Sequence, residues 1–205
     1  MPIVVKLGGS LAGTALLDAW LAALAALAGS GRPCVIVPGG GVFADAVRAA
    51  QGPMGFDDCT AHHMALLAMA QFGHVLASRC ARCRLAATAA EIAAALDAGK
   101  MPVWLSSAMA GEAVDIPQNW AVTSDSLAAW LAGRIGARQL LLVKQVDSVA
   151  ASVTALVAGG IVDPAFPGFL ARSGARAWIA GPGDLAGAPA SLAKGDVPGL
   201  PITLP

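Results

Sequence analysis

The chain has 205 residues and a mass of 20.3 kDa, 57% of its residues are apolar, and 13 basic residues balance 13 acidic ones. This length suits one domain, or one large domain with a minimal second one, and the apolar content excludes intrinsic disorder because it allows a sizeable buried core. The balanced charge, with a pI near 6.8, provides no basic surface for nucleic acid or for an anionic membrane.

The mean hydropathy of +0.68 raises the question of a membrane span. The uncharged stretch 59–78 is long enough but contains three histidines and a glutamine, so no spanning helix is expected. The first residues form a strand-like run without a signal-peptide pattern. We therefore expect a cytoplasmic protein whose four cysteines are reduced thiols.

Predicted strands and helices alternate along the first 143 residues. Apolar runs predict strands at 3–7, 33–37, 101–106 and 139–143. Helical spacing predicts helices at 14–28, from the glycines after the second strand to about residue 50, at 58–82, at 88–99 and at 124–136. The later pattern is weaker, with a short helix or mobile loop at 148–157, a helix at 164–173, a strand at 176–180 and an edge strand at 201–204.

Strands that alternate with helices predict a mainly parallel sheet with helices on both faces. The predicted fold is therefore α/β, a three-layer αβα sandwich. In such sheets ligands bind beyond the carboxyl ends of the strands. The residues that follow the strands are thus the candidates for chemistry.

Two predicted strands end in glycine-rich turns that lead into helices, Lys6-Leu-Gly-Gly-Ser10 and Val37-Pro-Gly-Gly-Gly41. Glycine lets backbone N–H groups approach an oxyanion, and a helix N-terminus favours phosphate. Two such turns on neighbouring strands would hold two phosphoryl groups close together. Either turn alone is also explained as a tight connection between a strand and a helix.

Two lysines stand at the predicted sheet edge. Lys6 lies within an apolar strand, where an ammonium is costly unless an anion compensates it, and a phosphoryl group in transfer is such an anion. The alternative is a side chain that extends from the strand end into solvent. Lys144 directly follows the apolar strand 139–143 and adds a second cation, with Asp147 three residues later.

The segment Thr123-Ser-Asp-Ser126 opens a predicted helix. Asp125 either stabilises the N-terminus of that helix, as acidic residues in a first turn do, or organises a site by forming salt bridges to Lys6 and another lysine. The residues alone leave both interpretations open.

Arg48 and the histidine pair are candidates for acceptor contacts. Arg48 follows the triple glycine by about two turns, where it would bind a phosphate on the acceptor or pair with Asp45 at the surface. His62 and His63 are adjacent, so they point about 100° apart on a helix. One of them can contact substrate, and metal binding by the pair is not expected.

Several common motifs are absent. There is no GxxxxGK followed by Ser or Thr, and no GxSxG. The glycines of 181–187 have one residue too many for a dinucleotide fingerprint, and no room remains for the unit that must follow. The pair Cys80 and Cys83, interpreted as lying on a helix, would need two more ligands for zinc, so no protein metal site is predicted.

The order of these motifs resembles the amino acid kinase superfamily over roughly residues 3–166. Lys-x-Gly-Gly follows the first strand, a second glycine turn follows the next, Ser-Asp-Ser opens a later helix, and Lys-x-Val-Asp follows a later strand. The segments 39–48, 61–69 and 120–126 are similar to those of small archaeal-type kinases of methanofuran biosynthesis. Those kinases convert (5-(aminomethyl)furan-3-yl)methyl phosphate to its diphosphate, a step in making a methanofuran-type one-carbon cofactor.

The resemblance implies transfer from ATP, with Mg²⁺, to a phosphate monoester. An acceptor-binding half would span about 1–122 and a nucleotide-binding half about 123–205 of a single domain. Lys6 would stabilise the transferring phosphoryl group, and Asp125 would organise the site. Backbone donors would come from Gly8, Gly9, Gly39 and Gly40.

The resemblance also assigns the two substrate sides. Arg48 and Asp45 would face the acceptor, with His62 and Ser124 beside them. The ATP side would be lined by Lys144, Asp147, Asp163 and Pro164. The chain departs from the pattern at Ser148, where a glycine is usual, and in lacking a counterpart of a late catalytic lysine, which Lys144 would replace.

Three alternatives remain at this point. A kinase of the same fold would act on isopentenyl phosphate, a nucleoside monophosphate or an amino acid. A non-catalytic subunit would bind or store nucleotide, and an interaction protein would use its apolar helices in an assembly. Helices that are apolar on more than one face predict a homo-oligomer in every case.

Overall fold

A computed structural model describes residues 1–147 and 150–204 of the chain. Within these ranges seven strands form a single sheet. They are β1 (Ile3–Leu7), β2 (Cys34–Pro38), β3 (Cys83–Ala86), β4 (Met101–Trp104), β5 (Gln139–Val143), β6 (Arg176–Ala180) and β7 (Leu200–Pro201).

The helices flank this sheet. They are α1 (Ala15–Gly29), α2 (Gly41–Met54), α3 (Asp58–Arg79), α4 (Ala89–Asp97), α5 (Ser107–Ala110), α6 (Ser124–Arg134), α7 (Val153–Ala158), α8 (Phe166–Ser173) and α9 (Ala188–Lys194). Short 3₁₀ turns lie at Gly9–Leu11 and Pro182–Asp184.

The strand order is β3-β4-β2-β1-β5-β6-β7, and every pairing is parallel except that of β7 with β6. The chain first builds outward from β1 through β2 and later returns to pair β5 with the other side of β1. Such a reversal of strand order opens a crevice beyond the carboxyl ends of the strands. The crevice lies where β1 and β5 end.

Two hydrophobic cores cover the two faces of the sheet, which confirms the predicted three-layer α/β fold. Successive side chains of a strand point to opposite faces. Val4 packs in the core formed with α6 and α8, whereas Val5 packs in the core formed with α1. Lys6 has the same parity as Val4, so its side chain lies on the face that α6 covers.

Local sequence signals begin two of the helices. Asp57 caps α3 by accepting a hydrogen bond from the N–H of Thr60 at 2.8 Å. Thr88 and Glu91 form a capping box at the start of α4. Both starts agree with the sequence prediction.

The predicted elements differ from the structure around the cysteine pair. The helix predicted to run to residue 82 ends at Arg79, Cys80 lies just past its end, and Cys83 begins β3. The interpretation of both thiols as one turn apart on a helix is therefore wrong. Strand β3 has only four residues. This is too few for an alternation of apolar and polar side chains to be recognised next to an alanine-rich helical pattern.

The C-terminal third was predicted less completely. The strand at 176–180 and the helix of α8 agree with the prediction, but no helix is predicted from the sequence where α9 lies. A helix occupies Val153–Ala158, while Ser148, the departure from the glycine pattern, lies outside the described residues. In 1–147 and 150–204, no helix combines the length and apolar character that crossing a bilayer requires.

Candidate active site

Lys6 and Lys144 lie at the crevice between β1 and β5. Lys6 is paired in register with Leu142 of β5, and Lys144 follows two residues later on the same side of the strand. Lys6 is only 5% exposed. The two ammonium groups approach each other because parallel strands end at the same edge of the sheet.

Asp125 of α6 joins the two lysines. Its carboxylate lies 3.1 Å from Nζ of Lys6 and 2.8 Å from Nζ of Lys144, and the residue is 4% exposed. Both salt bridges that the sequence analysis considered are present. We call Lys6, Lys144 and Asp125 the charged triad.

The charged triad carries a surplus of one positive charge. Burial raises the pKa of Asp125, but the ammonium groups of Lys144 and Lys6 outweigh burial and bring that pKa down to about 2. Burial lowers the pKa of Lys144 to about 8, with a further contribution from Lys6, although Asp125 opposes the change. Such a site favours an anion.

The two glycine turns touch each other through their backbones. A Cβ on Gly9 would lie 2.1 Å from the N of Gly41, and a Cβ on Gly39 would lie 2.3 Å from the N of Gly9. No side chain fits between them at these distances. Glycine is therefore required here by the close approach of two backbones.

The N–H groups of these turns divide into two sets. Gly8 donates to the carbonyl of Val143 at 3.1 Å, and Gly39 donates to that of Leu7 at 2.8 Å. The expectation that these two glycines donate to phosphate is therefore wrong, because both N–H groups already donate to carbonyl oxygens at the ends of β5 and β1. Within the described residues, free donors remain at Gly9, Ser10, Gly40 and Gly41.

Two cavities open on either side of the second glycine turn. The larger, of about 470 Å³, we call the transfer cavity; it is lined by Lys6, Gly8, Gly9, Ser10, Ala12, Gly41, Val42, Asp45, Lys144, Gln145, Val146, Gly160 and Ile161. The smaller, of about 170 Å³, we call the acceptor cavity; it is lined by Gly40, Gly41, Ala44, Asp45, Arg48, His62, Ala65, Leu66, Met69, Trp120, Val122, Thr123, Ser124 and Leu127. They meet at Gly41 and Asp45.

Comparison with known proteins identifies the family. The profile described as the amino acid kinase family matches residues 1–154, three quarters of the chain. The chain belongs to the amino acid kinase family. This assignment agrees with the resemblance found in the order of the motifs.

Individual relatives add detail. The chain is 28% identical over 147 residues to the (5-(aminomethyl)furan-3-yl)methyl phosphate kinase of Methanocaldococcus jannaschii, covering 71% of this chain and 67% of that one. It resembles the crystal structure of uridylate kinase from Archaeoglobus fulgidus with a TM-score of 0.75 at 17% identity, over 99% of this chain and 100% of that one. It resembles UMP kinase from Ureaplasma parvum with a TM-score of 0.64 at 13% identity, over 89% and 90% of the two chains. These two solved structures show the shared fold.

Two contacts hold Arg48 at the acceptor cavity. Its guanidinium carbon lies 4.3 Å from the ring centre of Trp120, and Nη1 lies 3.3 Å from the carboxylate of Asp45. Trp120 is fixed in turn, since its indole N–H donates to Gln51 at 2.6 Å. Arg48 thus has the surface pairing that sequence analysis left open and also lines the cavity.

The two adjacent histidines have different environments. His62 is 4% exposed and lines the acceptor cavity, and its Nε2 has no hydrogen-bond partner among the residues that the structure describes. Burial lowers the pKa of His62, with a smaller contribution from His63, and so favours the neutral ring. His63 is exposed, and its Nδ1 lies 2.9 Å from the carbonyl oxygen of Cys59.

Three residues expected on the nucleotide side line neither the transfer cavity nor the acceptor cavity. Asp147 accepts a hydrogen bond from the N–H of Gly183 at 2.8 Å. The carboxylate of Asp163 is occupied by the first turn of α6, and Pro164 follows it outside both cavities. Neither aspartate lines the transfer cavity or the acceptor cavity.

Sequence reasoning missed several lining residues. Gly160 and Ile161 reach the transfer cavity from the segment after α7, and the adjacent glycines at 159 and 160 were the available signal. Met69 and Val122 gave no signal as site residues, because apolar side chains of helices and loops are usually interpreted as core.

No protein metal centre emerges from the part of the chain that the structure describes. There, no group of three or more His, Cys, Asp and Glu side chains is arranged to hold an ion. All four cysteines are free thiols. Burial raises the pKa of Cys34 to about 12, and such a thiol is a poor nucleophile.

Proposed function

We propose that this chain is an ATP-dependent kinase that transfers the γ-phosphoryl group to a phosphate monoester. The observation that carries the proposal is the junction of two cavities at Gly41 and Asp45, with the two lysines of the charged triad lining one and Arg48 lining the other. Each cavity offers positive charge to one anion, and their junction brings the two anions together.

The transfer cavity suits the phosphate chain of ATP. Lys6 and Lys144 offer ammonium groups, and the free N–H groups of Gly9 and Ser10 lie on the same wall. Lys6, the more buried of the two lysines, would stabilise the charge of the transferring phosphoryl group. Lys144 would take the place of the late catalytic lysine that the chain lacks.

Magnesium fits this site only when it is bound together with ATP. Mg²⁺ usually keeps several waters and binds one or two carboxylates together with substrate phosphates. Asp125 is already paired with two lysines, and Asp45, which lines both cavities, pairs with Arg48, so the phosphates of ATP and waters would be the main ligands of the ion. The ion would supply charge neutralisation for the phosphates.

An acceptor that is already anionic suits the positive charge of this site. An alcohol would need to lose a proton during transfer, whereas a phosphate oxygen attacks without a base. In the proposed step, an oxygen of the acceptor phosphate bonds to the γ-phosphorus of ATP, the bond to the bridging oxygen breaks, and ADP leaves. No covalent intermediate on the protein is required.

We propose (5-(aminomethyl)furan-3-yl)methyl phosphate as the acceptor. The relative at 28% identity bears this name, and the acceptor cavity has matching chemistry. Arg48 would bind the phosphate, Asp45 would bind the ammonium group, and Trp120 offers a wall for a flat ring. His62 would donate or accept one hydrogen bond, and Ser124 another. The product is the diphosphate used for a methanofuran-type cofactor.

We also propose a homo-oligomer in the cytoplasm. The four free thiols are compatible with a reducing compartment. Large apolar side chains on the outer surface, among them Leu67 of α3, favour contact between copies.

A panel of acceptors tests the function. ADP release from ATP and Mg²⁺ is measured with the furan phosphate, isopentenyl phosphate, UMP and glutamate at equal concentrations. We expect the furan phosphate to give the highest kcat/KM. A higher value with another acceptor would reassign the substrate, and nucleotide binding without turnover would indicate a storage role instead.

A further inference from the structure

The carboxylate of Asp163 closes the N-terminus of α6. Its Oδ2 accepts hydrogen bonds from the N–H of Thr123 at 3.0 Å, from the hydroxyl of Thr123 at 2.8 Å and from the N–H of Ser126 at 3.0 Å. Its Oδ1 accepts a further bond from the hydroxyl of Ser126. The residue is 7% exposed, and these four bonds satisfy both carboxylate oxygens.

This arrangement replaces the usual local cap. The first N–H groups of a helix need an acceptor, which is normally the side chain of the residue just before the helix. Thr123 occupies that position, but its hydroxyl makes no such bond and donates to Asp163 instead. A carboxylate from a distant part of the chain therefore caps α6 and places negative charge at its positive end.

The segment that carries Asp163 is itself firmly held. The N–H of Ala165 donates to the carbonyl of Ala121 at 3.1 Å, and that of Phe166 donates to the carbonyl of Asp163 at 3.1 Å. Phe166 is completely buried in the core beside α6. These contacts hold Asp163 in place, and its hydrogen bonds to Thr123 and Ser126 hold the N-terminus of α6 in place relative to it.

The two residues that bind Asp163 flank the two residues that face the site. Between Thr123 and Ser126 lie Ser124, which lines the acceptor cavity, and Asp125, which joins the two lysines. Fixing both ends of this four-residue segment fixes the directions of the two side chains between them.

We propose that Asp163 is a positioning residue that acts through α6 to hold Asp125 between Lys6 and Lys144. It touches neither cavity, so it contributes by geometry and not by contact with substrate. Its kinetic consequences rest on the proposed kinase function, whereas its effect on the charged triad does not.

The free protein provides a readout that needs no substrate. The chain has four lysines, so lysine-selective ¹³C NMR can follow each side chain through a pH titration, and Lys144→Met identifies the resonance of Lys144. Asp125 holds the ammonium of Lys144 at 2.8 Å. We expect Asp163→Asn, which loses a charge and two acceptor positions, to loosen this contact and to move the titration of Lys144 to lower pH.

The kinetic test uses a matched control. Asp163→Asn should lower kcat by about tenfold or more, with KM values changed less than kcat. Glu91→Gln is the control, because Glu91 also caps a helix, accepting the N–H groups of Ala87 and Thr88 at the start of α4. That control should leave both kcat and the Lys144 titration as in the parent.

Two further variants separate positioning from stability. Ser126→Ala removes one donor and leaves the other three bonds, so it should fold even if Asp163→Asn does not, and it should change kcat and the titration in the same direction by less. In an Asp125→Asn background, replacing Asp163 should cause no further shift of the Lys144 titration.

Several outcomes would overturn the proposal. One is a folded Asp163→Asn variant with unchanged kcat and unchanged Lys144 titration, and another is a Ser126→Ala variant with the same result. A lower melting temperature alone would make Asp163 only a stabilising cap. If no acceptor is phosphorylated by the parent protein, the proposed function fails, and the titration still decides the role of Asp163.

Discussion

Lys6 shows how a single residue in an unusual environment indicates function. A lysine within an apolar strand needs a compensating charge, and the structure supplies one in Asp125 at 3.1 Å. One carboxylate cannot neutralise two ammonium groups, so the charged triad still attracts an anion. The sequence indicates Lys6 as a site residue, and a salt bridge to Lys6 is one of the two interpretations of Asp125 that the sequence allows.

Replacing Lys6 with alanine should slow phosphoryl transfer with little effect on folding. Asp125 keeps Lys144 at 2.8 Å, so no buried carboxylate is left unpaired. Loss of one charge-stabilising donor typically costs about a hundredfold in kcat, and we expect a loss well over tenfold. The exposed Lys100→Ala is the control, and a nearly unchanged kcat for Lys6→Ala would refute its assigned role.

Replacing Arg48 with alanine should chiefly raise KM for the acceptor. Arg48 lines the acceptor cavity and not the transfer cavity, so the KM for ATP should change little. Arg172 is the matched control, because it also stacks on an aromatic ring, Phe169, at 4.5 Å but lies at a different surface. Steady-state kinetics with each substrate varied would contradict the assignment if the effect fell on ATP.

The pH dependence should report Lys144. Burial lowers the pKa of its ammonium group in the folded protein to about 8, from 10.5 for an ordinary lysine. We expect kcat/KM for ATP to fall above about pH 8, by about tenfold per pH unit, because this parameter follows the free enzyme. Lys144→Arg should remove the decline; persistence of the decline in that variant would assign it to another group.

The fold itself should survive this decline in activity. Between pH 8 and 10.5 the unfolded chain binds more protons at Lys144 than the folded chain does. The contribution of this lysine to the free energy of unfolding therefore rises with pH over that range. Circular dichroism across the same range separates lost activity from lost structure.

At the scale of elements, the two glycine turns work as a pair. Their sequences predict two anion-binding turns, but the structure shows that the turns also pack against each other and that the sheet uses two of their four predicted donors. Which N–H groups remain free depends on how β1, β2 and β5 align, and that alignment is set by strands far apart in sequence.

Replacing Gly9 with alanine should separate the turns. The new Cβ would lie 2.1 Å from the N and 2.5 Å from the Cα of Gly41, and backbone atoms cannot rotate away. We expect a loss of about 1–3 kcal/mol in stability and a fall in kcat.

Gly168→Ala in α8 is the control for this change. Its nearest neighbour is the flexible end of Arg172 at 3.3 Å, and alanine in a helix is favoured over glycine by up to about 1 kcal/mol. Thermal unfolding and turnover are measured for both variants. Equal behaviour of the two would mean that the contact between the turns is unimportant.

At the scale of the whole molecule, one sheet unites the two predicted halves of the site. β1 and β2 bring the glycine turns and Lys6 from the first half, whereas β5 brings Lys144 and α6 brings Asp125 from the second. The site exists only when β5 pairs with β1, since that pairing closes the distance between the lysines.

The molecule should associate with copies of itself. Leu67 and Val75 are 56% and 37% exposed on the outer surface of α3, and apolar side chains on one surface favour association. We expect sedimentation equilibrium at micromolar protein to give a multiple of 20.3 kDa. A single species at the monomer mass would contradict this prediction.

The sequence by itself determined the α/β class, the positions of the long elements, and the residue types of the charged triad and the glycine turns. It did so because periodicity, glycine and buried lysine are local signals. Only the tertiary structure decided that Asp163 caps α6 outside both cavities, that Gly8 and Gly39 donate to carbonyl groups of the sheet, and that Cys80 and Cys83 both lie past the end of α3. These outcomes depend on contacts between distant segments, and no local pattern encodes which partner a carboxylate or an N–H group will meet.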